Sequence, residues 1–453
     1  MPSVPQITQP VTGDVSNLRD ALAEMHPEDI AEALNERSLE EAADTIQLLP
    51  IKEAADVLGR LSIELRDALL ELMPVEQSAA LLGDMSPDDR ADVIQELDPR
   101  TAARLLECLE TTAPSAAEEV RRLIAYSEES AGGLMTTQFV ALAPDTTIRD
   151  AIAKVREHSK ERTPETIYYI YVTTPANKLV GVVSLRDLIL GEFEQTLSEI
   201  MTENVLRVDP GADQEEVAKA IAKYDLSAIP VTGPRGRLLG VVTVDDVMDV
   251  VIEEATEDAH KMAAITPIDA AYFDTSVWMF IRKRAPWLIV LFLGELLTAS
   301  VLKGYEADFA AMLTLVAFIP LIISSGGNTG SQSSSLIIRG LAVGEIKPRD
   351  WWRVMSRELL IGISLGLLLG GVGFARAYFT GDVNLELSLA LTVSLSIIAV
   401  VVLGALLGSL LPLAIQRIGL DPAVSSTPFI ASLVDVVGLL LYFSIARVIF
   451  AFP

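Results

Sequence analysis

The sequence predicts an α-helical integral membrane protein of five transmembrane helices, dimeric, with a soluble α-superhelical domain and an α/β domain ahead of the helices. Three observations carry this. Charge is divided along the 453 residues: of 62 acidic and 35 basic side chains, 52 and 23 fall in residues 1–275, and only 10 and 12 in residues 276–453. The neutral part holds apolar stretches long enough to cross a hydrocarbon core of about 30 Å. The acidic part contains two internal repeats, which is how stacked or duplicated units announce themselves in a sequence.

The totals also exclude. An acidic soluble half has the wrong sign for nucleic acid. Cys108 is the only cysteine, so no intrachain disulfide can form. The first ten residues carry neither a charged region nor an apolar run, so no signal peptide is expected and the soluble half should be cytoplasmic. Three scattered histidines, His26, His158 and His260, give no zinc-type spacing. Carboxylates and carbonyls, the donors preferred by Mg²⁺, Ca²⁺ and Mn²⁺, are what the chain can offer a metal. No Gly-x-x-x-x-Gly-Lys-Ser/Thr loop occurs, so no ATP-driven pump and no enzyme is expected.

Residues 1–17 read as a frayed N-terminus. Over residues 18–130, Leu49, Leu61, Met73, Met85, Leu97 and Leu109 recur every twelve positions. Each of the first five is followed within two positions by a helix-start signal such as Pro50, Ser62, Pro74, Pro87 or Pro99. This predicts a superhelical array of short helices, each burying one face on the next, closed by a charged linker helix over 116–129.

A second repeat follows. Leu134-Met135-Thr136 recurs as Ile200-Met201-Thr202, and Gly181-Val182-Val183-Ser184 with Asp187 recurs as Gly240-Val241-Val242-Thr243 with Asp246. Each copy (131–198 and 199–250) reads strand, helix, strand, strand, helix, with strands over 167–173, 179–183, 228–231 and 239–242. The pair resembles tandem cystathionine-β-synthase-type (CBS) modules. That resemblance implies that Ser184, Asp187, Thr243 and Asp246 could meet the ribose of ATP or another adenine nucleotide.

The last helix of the second copy runs on past its module, through a connecting segment over 244–275. Asp245, Asp246, Asp249, Glu253, Glu254, Glu257 and Asp258 crowd into fourteen of its residues. Like charges four apart weaken a helix slightly. Solvent tolerates that, but a second acidic surface would be repelled unless cations intervened, which is the ingredient of a divalent-cation sensor.

In residues 276–453 the spans are expected over 285–302, 311–338, 359–377, 385–415 and 428–450. Basic residues flank the first span at Arg282, Lys283 and Arg284 and fill the loop with Lys347, Arg349 and Arg353. The loops 303–308 and 378–386 lack such enrichment. The positive-inside rule then places the N-terminus inside and the C-terminus outside. Five spans are few to enclose a hydrated path, so a dimer sharing one is expected.

Two features depart from an ordinary bundle. Asp435 lies inside the last span, where a carboxylate costs roughly 2.5–3.5 kcal/mol and normally faces a bundle interior or water. The second span carries Pro320, where a kink is expected, and then a polar run from Ser324 to Ser335. Its serines would serve close helix packing. Gly326, Gly327 and Asn328 are expected to open backbone carbonyls and an amide onto a cavity.

Gly326-Gly327-Asn328-Thr329-Gly330-Ser331-Gln332-Ser333, Leu336-Ile337-Ile338-Arg339 and Asp435-Val436-Val437-Gly438-Leu439 resemble the MgtE family of magnesium channels and transporters, as does the order of parts along nearly the whole chain. The resemblance implies a homodimer in the plasma (inner) membrane with the pore at the subunit interface. Asp435 would hold hydrated Mg²⁺ at the pore centre, with the Ala431 carbonyl nearby and Asp421 at the cytoplasmic mouth, and Gly327 and Asn328 are expected on the same path from their place in the polar run. Residues 244–261 would be the plug helix, closing when Mg²⁺ bridges Asp56, Asp88 and Asp92 to Asp246 and Asp249, with Asp225, Glu254, Glu257 and Asp258 as further sensing acids. Thr427 and Ser331 stand where many relatives have Asn, and Glu295 stands mid-span where a small residue is expected.

Mg²⁺ sheds water reluctantly, so its path needs one or two carboxylates rather than a cage. A broader carrier of Co²⁺, Mn²⁺ or Ca²⁺ and a membrane sensor that transports nothing are the alternatives. An anion channel is opposed by Asp435.

Overall fold

The structure is a computed structural model, and it describes residues 22, 25–161, 167–268, 272–273, 275–305, 313–379 and 386–450. The expected frayed segment 1–17 and parts of the loops 303–308 and 378–386 lie outside the described residues. The chain divides into two compact units, Met1–Ile252 and Glu253–Pro453.

The first unit opens with short helices α1 (Pro27–Asn35), α2 (Leu39–Leu48), α3 (Ile51–Gly59), α4 (Ile63–Leu72), α5 (Val75–Asp84), α6 (Pro87–Glu96), α7 (Pro99–Thr112) and α8 (Pro114–Leu123). The twelve-residue repeat has a plain cause. Leu49, Met73, Met85 and Leu97 are the residues that end α2, α4, α5 and α6, and all four are buried. Each drops into the core as the chain turns, and a proline or capped residue starts the next helix. Ser38 and Glu41 form a capping box on α2, and Asp98 accepts from the amides of Arg100 and Thr101 on α7. Buried Arg90 donates to the carbonyls of Leu82 and Met85 and pairs with Glu119, which locks the ends of α5, α6 and α8 together. The linker helix ends at Leu123 rather than 129, because the chain turns there: Tyr126 donates its amide to the Leu123 carbonyl and Gly132 its amide to Pro210.

The α/β part holds β1 (Val140–Leu142), α9 (Ile148–Glu161), β2 (Tyr169–Thr173), β3 (Leu179–Ser184), α10 (Leu185–Leu190), α11 (Leu197–Ile200), α12 (Gln214–Tyr224), β4 (Ala228–Thr232), β5 (Leu238–Thr243) and α13 (Val244–Met262). β1 is parallel to β2, and β2 antiparallel to β3, in one sheet; β4 and β5 make an antiparallel pair. The opening strand expected in the second copy is reduced to a single parallel bridge, Val208 to Val231. The two copies are interleaved. Thr136 bridges Val241 while Thr202 bridges Val182, and Met135 packs on Gly240 while Met201 packs on Gly181. A Cβ on either glycine would collide with the methionine of the other copy.

The second unit holds α14 (Val277–Gly304), α15 (Leu313–Val316), α16 (Ile319–Ala342), α17 (Trp351–Tyr378), α18 (Glu386–Arg417) and α19 (Thr427–Phe450). Among the described residues four helices are long and apolar enough to cross a membrane: α14, α17 with the turn before it, α18 and α19. The residues of the second expected span form α15 and α16, and α16, with its polar run, is not among the four. The helix breaks at residues 317–318, just ahead of Pro320, which has no N–H to bond the Val316 carbonyl. Pro320 then sits in the first turn of α16, where the missing N–H costs nothing, and α16 runs on without a kink. α17 buries Gly362, Gly366, Gly370 and Gly373 against Val402, Ile398, Ser394 and Ile397 of α18, a ridge of small residues along which backbones approach closely. Tyr442 donates its hydroxyl to the Leu315 carbonyl at 2.8 Å, so the largest buried side chain of α19 leaves no orphan.

Candidate functional site

In the second unit the site is built by close approach of α16, α18 and α19. The expectation that Gly326–Asn328 would expose backbone is corrected: α16 is a continuous helix through them. Their use is steric. A Cβ at Gly326 would strike Val400 and Val434, and one at Gly404 or Gly408 would strike the carbonyls of Gly326 and Gly330. Without side chains there, α19 comes in beside α16 and brings Ala431 and Asp435 to Gly327; a Cβ on Gly327 would lie 3.6 Å from the Ala431 Cβ and 3.9 Å from Asp435 Oδ1. Asp435 is half-buried and its nearest charged neighbour is Glu295 of α14, another acid. Asn328 does not join them within this chain. It is exposed, one position round the helix, and donates to Ser324 Oγ at 3.3 Å.

One end of the same helices carries Asp421, which caps a 3-10 turn over 422–424 by accepting from the Ala423 amide. Its other oxygen lies 2.7 Å from Lys261 Nζ, and that ammonium also reaches Glu257 Oε1 at 2.6 Å. Burial opposes the Lys261 charge, but the hydrogen bonds to Asp421 and Glu257 outweigh it and hold the group protonated well above the usual lysine range. Glu254 and Asp258 are half-buried on the same helix. Thr427 donates its hydroxyl to the Met262 carbonyl at 3.2 Å.

In the first unit, acids of α3, α5 and α6 gather with the start of α13. Desolvation pushes Asp92 up to about 7, with Asp89, Glu96, Glu128 and Asp246 adding repulsion. Desolvation pushes Asp246 up to about 6 against a 2.5 Å hydrogen bond from Thr243 Oγ1. Asp249 is raised by desolvation and by Glu28, and Asp56 by desolvation and by Asp89 and Asp84, while Arg60 pulls both down. The sequence reading found Asp56, Asp92, Asp245, Asp246 and Asp249 but missed Asp89, Glu28 and Asp84. Asp89 sits beside Asp88, which was named; Asp88 is buried while exposed Asp89 faces Asp92 and Asp246, and only the turn of the helix decides which does which.

The remaining candidates stand apart from that cluster. Asp225 ends α12 in the left-handed region (φ 50°) and is exposed, so its visible use is local. Asp88 is buried and lines a narrow cleft with Ser86, Thr136, Tyr168, Tyr169 and Thr243. Of the four nucleotide candidates only Thr243 lines this cleft; Ser184 caps α10 and is bonded to Asp187 at 2.6 Å. Tyr169 of the cleft pairs with Ser184 across β2 and β3, so the tyrosines stand between Thr243 and the Ser184/Asp187 pair. Among the described residues no three acids, histidines or cysteines converge as a metal cradle.

Residues 319–445 match the family model described as MgtE, divalent cation transporter; residues 25–129 match the MgtE intracellular N domain, and residues 131–191 and 197–253 the CBS domain. A magnesium transporter MgtE of Thermus thermophilus is 40% identical over 336 residues, 74% of this chain and 73% of that one. The chain belongs to the MgtE family. Another MgtE, of Enterococcus faecalis, is 37% identical over 330 residues, 73% of this chain and 71% of its own. The solved cytosolic domain of an Mg²⁺ channel MgtE in complex with ATP superposes with a TM-score of 0.50 at 40% identity, over 52% of this chain and 95% of that one.

Two residues that the sequence reading set apart, Ser331 and Thr427, are neighbours in this member of the MgtE family. Ser331 donates its hydroxyl to the Thr427 carbonyl at 3.4 Å, so the two positions that differ from the expected Asn touch each other.

Proposed function

We propose that this chain carries Mg²⁺ through the membrane down its gradient, and that Mg²⁺ on the cytoplasmic side closes it. The observation that carries the first half is Asp435 held at Gly327 and Ala431 among tightly packed helices. A carboxylate at that depth needs water or an ion, and one or two carboxylates suit an ion that keeps its inner waters. Support also comes from relatives named as magnesium transporters. In this reading α16 is the fifth span, two chains form the path, the acidic units lie in the cytoplasm of the plasma membrane, and the C-terminus faces outward.

The gate follows from the acidic cluster. Asp56, Asp92, Asp246 and Asp249 repel one another when ionised, and a divalent cation among them favours the packed arrangement. Asp88, Asp225, Glu254, Glu257, Asp258 and Asp421 serve as further sensing positions, with Asn328 on the path side. Ions that bind the closed arrangement better shift the population toward it, which makes feedback on import. The cleft beside Thr243 supports an adenine nucleotide as a second regulatory ligand.

Mg²⁺ uptake into proteoliposomes, wild type against Asp435→Ala, tests the reading. Wild type should conduct, and the variant should lose at least about 100-fold, since a lost ion ligand in a low-dielectric path costs several kcal/mol. Uptake by Asp435→Ala at the wild-type rate would sink the pore assignment. A second reading, a broader divalent-cation carrier, is favoured by Glu295 beside Asp435.

A further inference from the structure

Between Ala285 and Leu302 of α14 the one charged side chain is Glu295. α14 packs on α19. Gly294 makes the approach close, because a Cβ there would lie 3.8 Å from the Ser432 Cβ. Glu295 Oε1 accepts a hydrogen bond from Ser432 Oγ at 3.4 Å. Ser432 and Asp435 are three apart and share a face of α19, and the Glu295 carboxyl group meets that of Asp435. One turn further along the same face of α14, Thr298 is the only residue of the helix that is buried, at 8% exposure. Its hydroxyl has no hydrogen-bond partner among the described residues.

A lipid-facing helix has no use for this set. Two carboxyl groups that meet at membrane depth repel when both are ionised, and nothing basic lies inside the span to offset them. A buried hydroxyl without a partner asks for water or a polar ligand. Both demands are met if a hydrated cation passes between α14 and α19. We propose that Glu295 is a second ion-contacting carboxylate of the path, acting with Asp435 and determining how the protein discriminates among divalent cations. This rests on the reading of Asp435 as the pore acid.

The chemistry sets the direction. Mg²⁺ keeps its waters and needs one or two carboxylates, whereas Mn²⁺ and Ca²⁺ accept more direct oxygen ligands with less demand on geometry. A second carboxylate with the Ser432 and Thr298 hydroxyls raises the oxygen count and charge, so it favours the ions that dehydrate more readily. Replacing Glu295 should therefore weaken Mn²⁺ and Ca²⁺ more than Mg²⁺.

The test is uptake by the full-length protein in proteoliposomes, with Mn²⁺ and Ca²⁺ as competitors of Mg²⁺, for wild type, Glu295→Gln, Glu295→Asp and Asp435→Ala. Glu295→Gln should lower Mg²⁺ uptake and raise the ratio of the half-inhibiting Mn²⁺ concentration to the half-saturating Mg²⁺ concentration about tenfold. Glu295→Asp, which keeps the charge, should recover most of that ratio. If both variants keep the wild-type ratio while Asp435→Ala is inactive, this proposal fails and the pore reading stands; if Asp435→Ala conducts normally, the pore reading itself fails. A measurement independent of flux uses Glu295→Cys in a Cys108→Ser background. A charged thiol reagent should modify it, and Mg²⁺ should slow that modification. No modification would mean a lipid-facing side chain and overturn the proposal.

Discussion

Lys261 and Asp421 are joined by a 2.7 Å ion pair, and the same ammonium holds Glu257 at 2.6 Å. The cation between these two carboxylates is a side chain, in the place where the proposed function puts a regulatory Mg²⁺. Lysine and divalent cation therefore compete for the same oxygens. Lys261→Met keeps the length of the side chain and removes the competitor. The pair is partly exposed, so its worth is about 1 kcal/mol, and the Mg²⁺ concentration that half-closes the protein should fall about fivefold. Uptake measured against internal Mg²⁺ reads this directly, and a rise in that concentration would mean that the lysine itself helps to close.

The acid cluster makes a second prediction. With Asp92→Asn and Asp246→Asn together, the repulsion between α6 and α13 is relieved without a cation. The double variant should resist trypsin in chelator as wild type does in millimolar Mg²⁺, and its uptake should stay low at all internal Mg²⁺ concentrations. Unchanged protease sensitivity would show that these two acids do not govern the packing.

The pH dependence has a definite sign. Asp92 and Asp246 hold their protons up to about 7 and about 6 in the folded unit, against an ordinary value of 3.8. Below about 4 both folded and unfolded chains are protonated and the packing has its full stability. As pH rises from about 4 to about 7 the unfolded chain ionises first, so stability is lost across that window, by roughly 3–7 kcal/mol, the range running from Asp246 alone to both acids acting independently. In chelator the melting temperature of the first transition should drop between pH 5 and pH 8, and Mg²⁺ at pH 8 should restore it. Equal values at the two pH values would contradict the burial of these acids.

Helix packing gives a pair of opposite outcomes. Gly404→Val places a side chain against the Gly326 carbonyl, and overpacking of this kind costs about 1–3 kcal/mol. Gly371 of α17 has nothing within 4 Å of an added Cβ, so Gly371→Ala should be neutral or stabilising by up to about 1 kcal/mol through helix propensity. Thermal unfolding in detergent ranks them, and a Gly404 variant as stable as wild type would refute the close approach of α16 and α18.

The twelve-residue repeat, the paired CBS modules, the apolar helices and the motif around Asp435 could all be read from the chain, because each is a local pattern of spacing, caps or hydropathy. The resemblance to the MgtE family, not spacing, named Asp92 and Asp246 as sensing acids. Spacing could not say which of Asp88 and Asp89 turns toward α13, since that depends on how α6 is rotated by Arg90 and its carbonyls. Nor could it distinguish Gly326–Asn328 as opened backbone from a helix with glycines for close packing, because both require small residues.

What the sequence by itself determined is the class of each part and the acids available to a cation, since these follow from composition and periodicity. Only the tertiary structure decided which of them meet. The exchange of Met135 and Met201 between the two repeats, the lysine between Glu257 and Asp421, and Glu295 against Ser432 and Asp435 each join residues far apart in the chain. No local pattern encodes such a pairing; it is set by which faces the packed helices and strands bring together.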